Sequence, residues 1–502
     1  MVYLLNYAKK QLANVSLACL CWSILSCQSS QEESPPAQTK YNVLFIAIDD
    51  LRPQLGCYGE TQIISPHIDR LASQSLMLTR AYVQQAVCAP SRNGVMTGLR
   101  PDAIGIYDLG TFFRDSVPNV VTLPQHFKNN GYQSESIGKI YHRGHGNRDD
   151  SLSWSRESWV PSRRTLEAEP IRRGDTVGLE GSYPQINGKR IPYYATSVPE
   201  EQLADNRSVN YAMERLKALQ DTTFFMAVGL VKPHLPFVAP QRYWDRYDST
   251  DLIIPNRMAP HGSPEFSLAN FGELRKYHDI PPEGYLSGEK SRNLIHGYYA
   301  SVTYIDDLVG QLLNKLNELN LAENTIVVLW GDHGWKLGEY GSWCKHSNYE
   351  YDTRIPLIVK VPGITVGQES DALVESVDIY PTLCELAGLP NPVHLQGRSM
   401  LPLITDPGHS IKTAAWSQYP RRNNDRSLMG YAMRIDRYRY VRWQERDLDQ
   451  KIVARELYDH QTDPSELNNL ATSVDNQQLV SELDSLFNVE YELAHQKTLS
   501  IR

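Results

Sequence analysis

The chain has 502 residues, 41% of them hydrophobic and 22% charged. That balance excludes a disordered or collagen-like chain, and the length holds one large α/β domain with a smaller one beside it. A formal net charge of −8 argues against a nucleic-acid partner, so any anion site must gather its positive charge locally.

Residues 1–27 read as an export signal, with Lys9 and Lys10 ahead of a moderately apolar run ending at Cys27. Ile24-Leu25-Ser26-Cys27 has the pattern of a bacterial lipobox, which makes Cys27 a candidate for a lipid anchor. Residues 28–40 are a polar, Pro-containing stretch that reads as a flexible tether. The competing reading, a plain amino-terminal membrane anchor, is weakened by the shortness of the run and its polar interruptions. The expected location is the periplasm or cell envelope.

From Tyr41 short apolar runs alternate with helical patterns, as in crossover units on a mostly parallel sheet. Residues 41–420 are expected to form this α/β domain. Asn42 to Ile48 runs into Asp49-Asp50; Tyr132 to Ile137 leads to Gly138-Lys139; Phe224 to Val228 leads to Lys232-Pro233-His234; Thr325 to Leu329 leads to Asp332-His333. Ligands of open α/β sheets gather beyond the carboxyl ends of the strands, so these polar clusters can converge on one crevice. The stretch from Arg143 to Glu200 lacks periodicity and reads as a long excursion; its Arg163, Arg164, Arg172 and Arg173 are either anion contacts or solvated surface. Tyr298, Val302, Ile305, Leu308, Leu312, Leu316 and Leu319 recur at helical spacing and predict a core-facing helix. Residues 421–502 are expected to form a small α+β subdomain, because Leu428 to Trp443 alternates with period two around a turn near Asp436.

Outside the leader, cysteine is sparse: Cys57, Cys88, Cys344 and Cys384 do not make a disulfide framework. Cys88 opens the segment Cys88-Ala89-Pro90-Ser91-Arg92-Asn93-Gly94-Val95-Met96-Thr97-Gly98. Pro90 suits the first turn of a helix, which puts Cys88 at the amino end, where free N–H groups and the dipole favour an anion, and Arg92 adds a bidentate cation one turn on. By residue type alone Cys88 is a structural thiol or a conventional nucleophile. Asp49, Asp50 and Asp332 offer hard oxygen ligands for a divalent cation, while the adjacent His333 leaves the metal open between calcium and an ion that prefers nitrogen.

The segment CAPSRNGVMTG resembles the signature of the type I sulfatases, in which C-x-P-S-R directs oxidation of the cysteine to formylglycine. IAIDDLRPQLGCYG, GKIYH, VKPHLPF, GDHGWKLGEYGSW, VDIYPTL and ELYDHQTDPSELNNLA resemble further segments of that family, and DDLRPQLGCYG, KPHLPF and DHGWKLGE point to its iduronate-2-sulfatase branch. The resemblance implies an alkaline-phosphatase-like fold: a mostly parallel sheet flanked by helices with a smaller carboxyl-terminal subdomain. It implies one calcium ion per chain held by Asp49, Asp50, Cys88, Asp332 and His333, and a maturation enzyme that converts Cys88 to formylglycine. The aldehyde hydrate carries two hydroxyls: one attacks sulfur, and the other drives collapse that releases sulfate without water attacking the covalent intermediate. Lys139 and Lys345 are similar to the lysines that hold sulfate oxygens, His142 to the histidine that orients the formylglycine hydroxyl, and His234 to the group beside the leaving oxygen.

The expected activity is hydrolysis of sulfate esters of a carbohydrate, with a uronate 2-O-sulfate as leading substrate and another sulfated sugar second. The alternatives are a phosphate or phosphonate ester hydrolase of the same superfamily, which would ordinarily need a Ser or Thr nucleophile and a second metal, and a non-catalytic binder of sulfated glycan. Tyr340 and His346 depart from the branch pattern at positions expected near the sugar, and Trp335 reads equally as a carbohydrate platform or a structural aromatic.

Overall fold

Alternation along Asn42–Ile48 explains the middle of the molecule. Every residue of this strand is buried, as expected where both faces of a sheet are covered. Leu44, Ile46 and Ile48 share one apolar cluster with residues of the helices Ala204–Ala218 and Gly288–Glu318, while Val43, Phe45 and Ala47 share another with Val95 and Met96 of the helix Cys88–Thr97. These relations come from a computed structural model that describes residues 40–161, 185–446 and 449–495. The leader, the tether up to residue 39 and Arg163, Arg164, Arg172 and Arg173 lie outside the described residues.

The eight-stranded sheet runs in the order Gln368–Ser370, Leu76–Tyr82, Arg354–Lys360, Thr325–Gly331, Asn42–Ile48, Phe224–Leu230, Gln133–Gly138, with Val374–Glu375 also paired to Leu76–Tyr82. Arg354–Lys360 is antiparallel to both its neighbours and the other pairings are parallel. All the strands expected to end in polar chemistry therefore end at one edge. The reversed strand adds to that edge, because the chain leaving Gly331 must stay there to enter Arg354. Residues 332–353, including His333 and Lys345, are thus held over the same crevice.

The helix Gly288–Glu318 starts at Ser287, whose side chain accepts a hydrogen bond from the Lys290 amide. It buries Tyr298, Val302, Ile305, Leu308, Leu312 and Leu316 of the stripe read from the sequence, while Leu319 falls at the C-cap and is half-buried. Carboxyl-terminal to the large sheet, Ala415–Asn423, Arg426–Arg434, Tyr438–Glu445 and Ile452–Asp459 form an antiparallel sheet. Its first strand spans the boundary expected at residue 420. The helix Gln477–His495 covers one face, with Phe487 edge-on to Trp416 at 4.8 Å. Hydrogen bonds from the Gln418 amide to the Gln84 carbonyl (2.7 Å) and from Asn348 Nδ2 to the Gly430 carbonyl (2.9 Å) tie this sheet to the same edge of the large sheet.

Candidate active site

Neighbours in a strand point to opposite faces, so Asp49 and Asp50 could not share a pocket if the strand continued. Asp50 instead takes a left-handed conformation (φ 60°), which a short polar side chain tolerates better than most. Carboxylate oxygens of both residues, Sγ of Cys88 and a ring nitrogen of His333 then lie within 4.8 Å of one another. Asp332 stands outside that mutual set but abuts it: its Oδ1 accepts the Asp50 amide at 3.0 Å and lies 3.5 Å from His333 Nε2.

The helix Cys88–Thr97 begins at Cys88 with Val87 as its extended N-cap. Pro90 falls in the first turn, where no amide hydrogen is required. Cys88 Sγ is 3.3 Å from His333 Nε2. Burial pushes the Cys88 thiol well above its usual range, and the Asp49 carboxylate adds to this. An unmodified Cys88 is therefore a poor thiolate nucleophile in this pocket. Arg92, four residues on and so on the same helical face, is fully buried: Nε donates to Asp332 Oδ2 at 2.8 Å, Nη2 to Asp49 Oδ1 at 3.1 Å, and Nη1 to the carbonyls of Lys139 and, at 3.0 Å, Ile140.

Lys139 reaches the pocket because two strands end in contact. Gly138 and Gly229 are register partners, and a β-carbon on Gly229 would meet the Lys139 backbone. Lys139 Nζ donates to Asp49 Oδ2. Burial works against ionisation of Asp49, yet Lys139 and Arg92 outweigh it and hold that carboxyl well below the usual range. Asp332 goes the other way, raised by burial and by Asp49 despite His333 and Arg92. Lys345 Nζ donates to Asp50 Oδ1 at 2.9 Å. His234 Nε2 lies 4.0 Å from Asp50 Oδ2, an oxygen that is buried without a hydrogen-bond partner. His142 Nε2 hydrogen-bonds to His145 Nδ1 at 3.3 Å, and its buried Nδ1 has no partner. Burial, helped by the Lys139 charge, lowers His142 to about 3, which leaves a neutral imidazole near pH 7.

One expectation about the sugar side changes, and one open alternative is resolved. Tyr340 is buried away from the crevice, its ring 5.0 Å from that of Tyr349 and its hydroxyl donating to the Ser465 carbonyl at 2.8 Å. Trp335 is fully buried beneath Lys345, whose Nζ lies 4.8 Å from the ring centroid, so it is a structural aromatic. His346 remains at the crevice, 3.9 Å from Glu273. Glu273 itself escaped the sequence reading: it is an isolated acid in an irregular segment, and no spacing pattern marks it. His145 left a trace in its His-x-x-His spacing from His142. Arg421 also went unnoticed, although it donates to the carbonyls of His346 and, at 2.6 Å, Phe266.

Carboxylates for a cation, a cysteine at a helix amino end and a ring of buried cations, all at the carboxyl edge of a mostly parallel sheet, define a hydrolase of anionic esters with the alkaline-phosphatase-like fold. The chain belongs to the sulfatase family: the family model described as Sulfatase matches residues 41–389, and that described as N-sulphoglucosamine sulphohydrolase, C-terminal matches residues 338–492. Iduronate 2-sulfatase of Homo sapiens is 34% identical, over 89% of this chain and 94% of the relative. Among solved structures, a protein in complex with its substrate D-glucosamine-2-N,6-O-disulfate superposes with a TM-score of 0.71 at 22% identity, covering 92% of this chain and 100% of the other. The phosphonate monoester hydrolase of Silicibacter pomeroyi superposes with a TM-score of 0.73 at 22% identity, covering 92% and 97%. Both likenesses are of fold. The family relationship makes the chain a sulfuric ester hydrolase, and members generally use formylglycine and a divalent metal.

Proposed function

We propose that this protein removes sulfate esters from an anionic carbohydrate, with Cys88 carried as formylglycine beside one calcium ion. The observation that carries the reading is the placement of Cys88 Sγ among Asp49, Asp50 and His333, all within 4.8 Å. Asp50 Oδ2, buried and unpartnered, is the kind of orphaned oxygen that a cation satisfies. Asp49, Asp50 and Asp332 supply the hard oxygens that calcium prefers, with His333 completing the set. When bound, the cation would polarise a sulfate oxygen, and the formylglycine hydrate would supply the nucleophile. Arg92 and Lys139 hold the carboxylates in place, Lys345 brings a second ammonium to the pocket, and His234 presents Nε2 at its mouth.

A uronate 2-O-sulfate is the leading substrate, supported by the similarity to iduronate 2-sulfatase over nearly the whole chain. The leader sequence supports export to the periplasm or envelope, with Cys27 as the lipid-bearing residue. Among the described residues no helix is long and apolar enough to cross a membrane.

The test pairs chemistry with mass. After co-expression with a formylglycine-generating enzyme, the Cys88 peptide should show the mass of the aldehyde, and the protein should release sulfate from a defined sulfated oligosaccharide. Cys88→Ala should fold and release none. Near-wild-type release by that variant, or an unmodified thiol in an active preparation, would overturn the formylglycine assignment.

A further inference from the structure

Residues 107–112 form a loop tied at both ends to segments that enter the site. Gln85, three residues before Cys88, donates Nε2 to the Tyr107 carbonyl at 2.8 Å. Toward the other end Asn147 Nδ2 donates to the carbonyls of Leu109 and Thr111, each at 3.2 Å, and a β-carbon on Gly110 would come within 2.7 Å of the His145 carbonyl. His145 in turn is bonded to His142. The loop therefore runs from the approach to Cys88 to the His142–His145 pair.

Each end of this loop carries a guanidinium laid on an aromatic ring. Arg446 lies 4.3 Å from the Tyr107 ring centroid and Arg148 lies 4.4 Å from that of Phe112. Both arginines are exposed, and among the described residues neither makes an ion pair with a carboxylate. Nearby arginines differ: Arg114 is held by Asp150 at 2.6 and 2.7 Å, and Arg143 by Asp149 at 2.8 Å. The acid of the loop, Asp108, accepts the amides of Gly110 and Thr111, both at 2.8 Å, and is turned onto its own backbone. The Tyr107 hydroxyl donates to Asp102 Oδ1 at 2.8 Å, which fixes the ring under Arg446.

Stacking restrains a guanidinium through its face and leaves its edge, where the N–H donors lie, open to a ligand. That edge matches the paired oxygens of a carboxylate or a sulfate. The two stacked rings are five residues apart, so their α-carbons are separated by at most about 18 Å. On a chain of net charge −8, two such unmatched cations beside the site are a local attraction for anions. We propose that Arg148 and Arg446 form a subsite for further oxyanion groups, carboxylate or sulfate, on the carbohydrate whose sulfate ester occupies the pocket; this deepens the sulfatase reading above and rests on it. The subsite holds the glycan flanking the cleaved ester and takes no part in breaking the bond.

A fluorescein-labelled heparin hexasaccharide, bound at one fixed ionic strength and read by anisotropy, provides the test. Arg148→Gln with Arg446→Gln should raise its Kd about tenfold or more, and each single substitution should supply part of that rise. Arg148→Lys with Arg446→Lys keeps the charge but loses the planar fork, and should recover only part of the affinity. Arg143→Gln removes an equal charge from the same segment, one already paired with Asp149, and should change Kd less than twofold. An unsulfated, N-acetylated hexasaccharide assigns the held group: an arginine effect that persists there supports a carboxylate subsite, and one that vanishes supports a sulfate subsite. In turnover the double variant should lower kcat/KM for oligosaccharide desulfation, through KM, at least tenfold relative to that for 4-nitrophenyl sulfate. A Kd for the double variant within twofold of wild type overturns the proposal, as does the lack of saturable binding by wild type. An Arg143→Gln effect as large as that of the pair also overturns it, because binding would then follow dispersed surface charge. Wild-type protein that binds the hexasaccharide but releases sulfate from no probe defeats the sulfatase reading instead, and the Kd comparison still decides the subsite.

Discussion

Arg92→Ala tests the charge balance of the pocket directly. The substitution removes a fully buried guanidinium bonded to Asp332 at 2.8 Å and to Asp49 at 3.1 Å. Breaking a buried pair from one side costs about 3–5 kcal/mol, because the partner stays buried without its counter-charge. Asp49 keeps Lys139 and Asp332 keeps the Asp50 amide, so a loss of about 4 kcal/mol is expected rather than the sum of two broken pairs. Unfolding entropy for a chain of this length is roughly 1 kcal/mol per kelvin, so Tm should drop by about 4 °C in EDTA. A cation bound to the same carboxylates stabilises the folded form by about 2.7 kcal/mol at a hundred times its Kd. Where Arg92 no longer offsets Asp49 and Asp332, that cation should bind more tightly, so calcium should raise Tm further in the variant than in wild type. The assay is thermal unfolding at one scan rate, with EDTA and with a calcium series. Equal Tm in EDTA, or a calcium shift no larger in the variant, refutes the reasoning.

A pH effect is expected at Asp306, far along the helix Gly288–Glu318, where Oδ1 and Oδ2 accept the amides of Ile68 (2.7 Å) and His67 (3.1 Å). Burial pushes its carboxyl up to about 7; with a folded value above the unfolded one, its contribution is complete below about pH 4 and is lost as pH rises toward 7, at up to about 1.4 kcal/mol per pH unit. Asp306→Asn should therefore flatten the fall in denaturation midpoint between pH 5 and 7, and curves that stay parallel to wild type contradict this. Tyr340→Ala should cost about 3–5 kcal/mol by opening the Tyr349 cluster while leaving the ranking of sulfated sugars unchanged; a changed ranking at wild-type stability would return Tyr340 to the sugar side.

The central strands were legible because they are buried on both faces and end in short polar clusters, so composition and position pointed the same way. Cys88 and Arg92 were legible for a similar reason: the spacing of one helical turn is written in the sequence. Distance along the chain hid the rest. Glu273 reaches His234 and Lys345 from a segment without periodicity, and Arg421 braces His346 from another sheet. Tyr340 misled because it lies on the segment between His333 and Lys345, both of which reach the site. A left-handed φ of 58° lies behind its turn into the tyrosine cluster, and nothing in the residue type announces that conformation.

The negative overall charge and the anionic substrate are reconciled inside the pocket. Asp49, Asp50 and Asp332 are each bonded to a fixed cation: Asp49 to Lys139 and Arg92, Asp332 to Arg92, Asp50 to Lys345. The carboxylates are thus matched by Arg92, Lys139 and Lys345 before any metal arrives, and Glu273 shares Lys345 with Asp50. A divalent ion added to that balanced set leaves the pocket net positive, which a sulfate ester can use as it enters and as charge builds on the leaving oxygen. Buried, water-poor surroundings make the excess count for more than the dispersed charge of the surface. Anion binding can therefore coexist with a chain carrying a net charge of −8, provided no member of the matched set is removed.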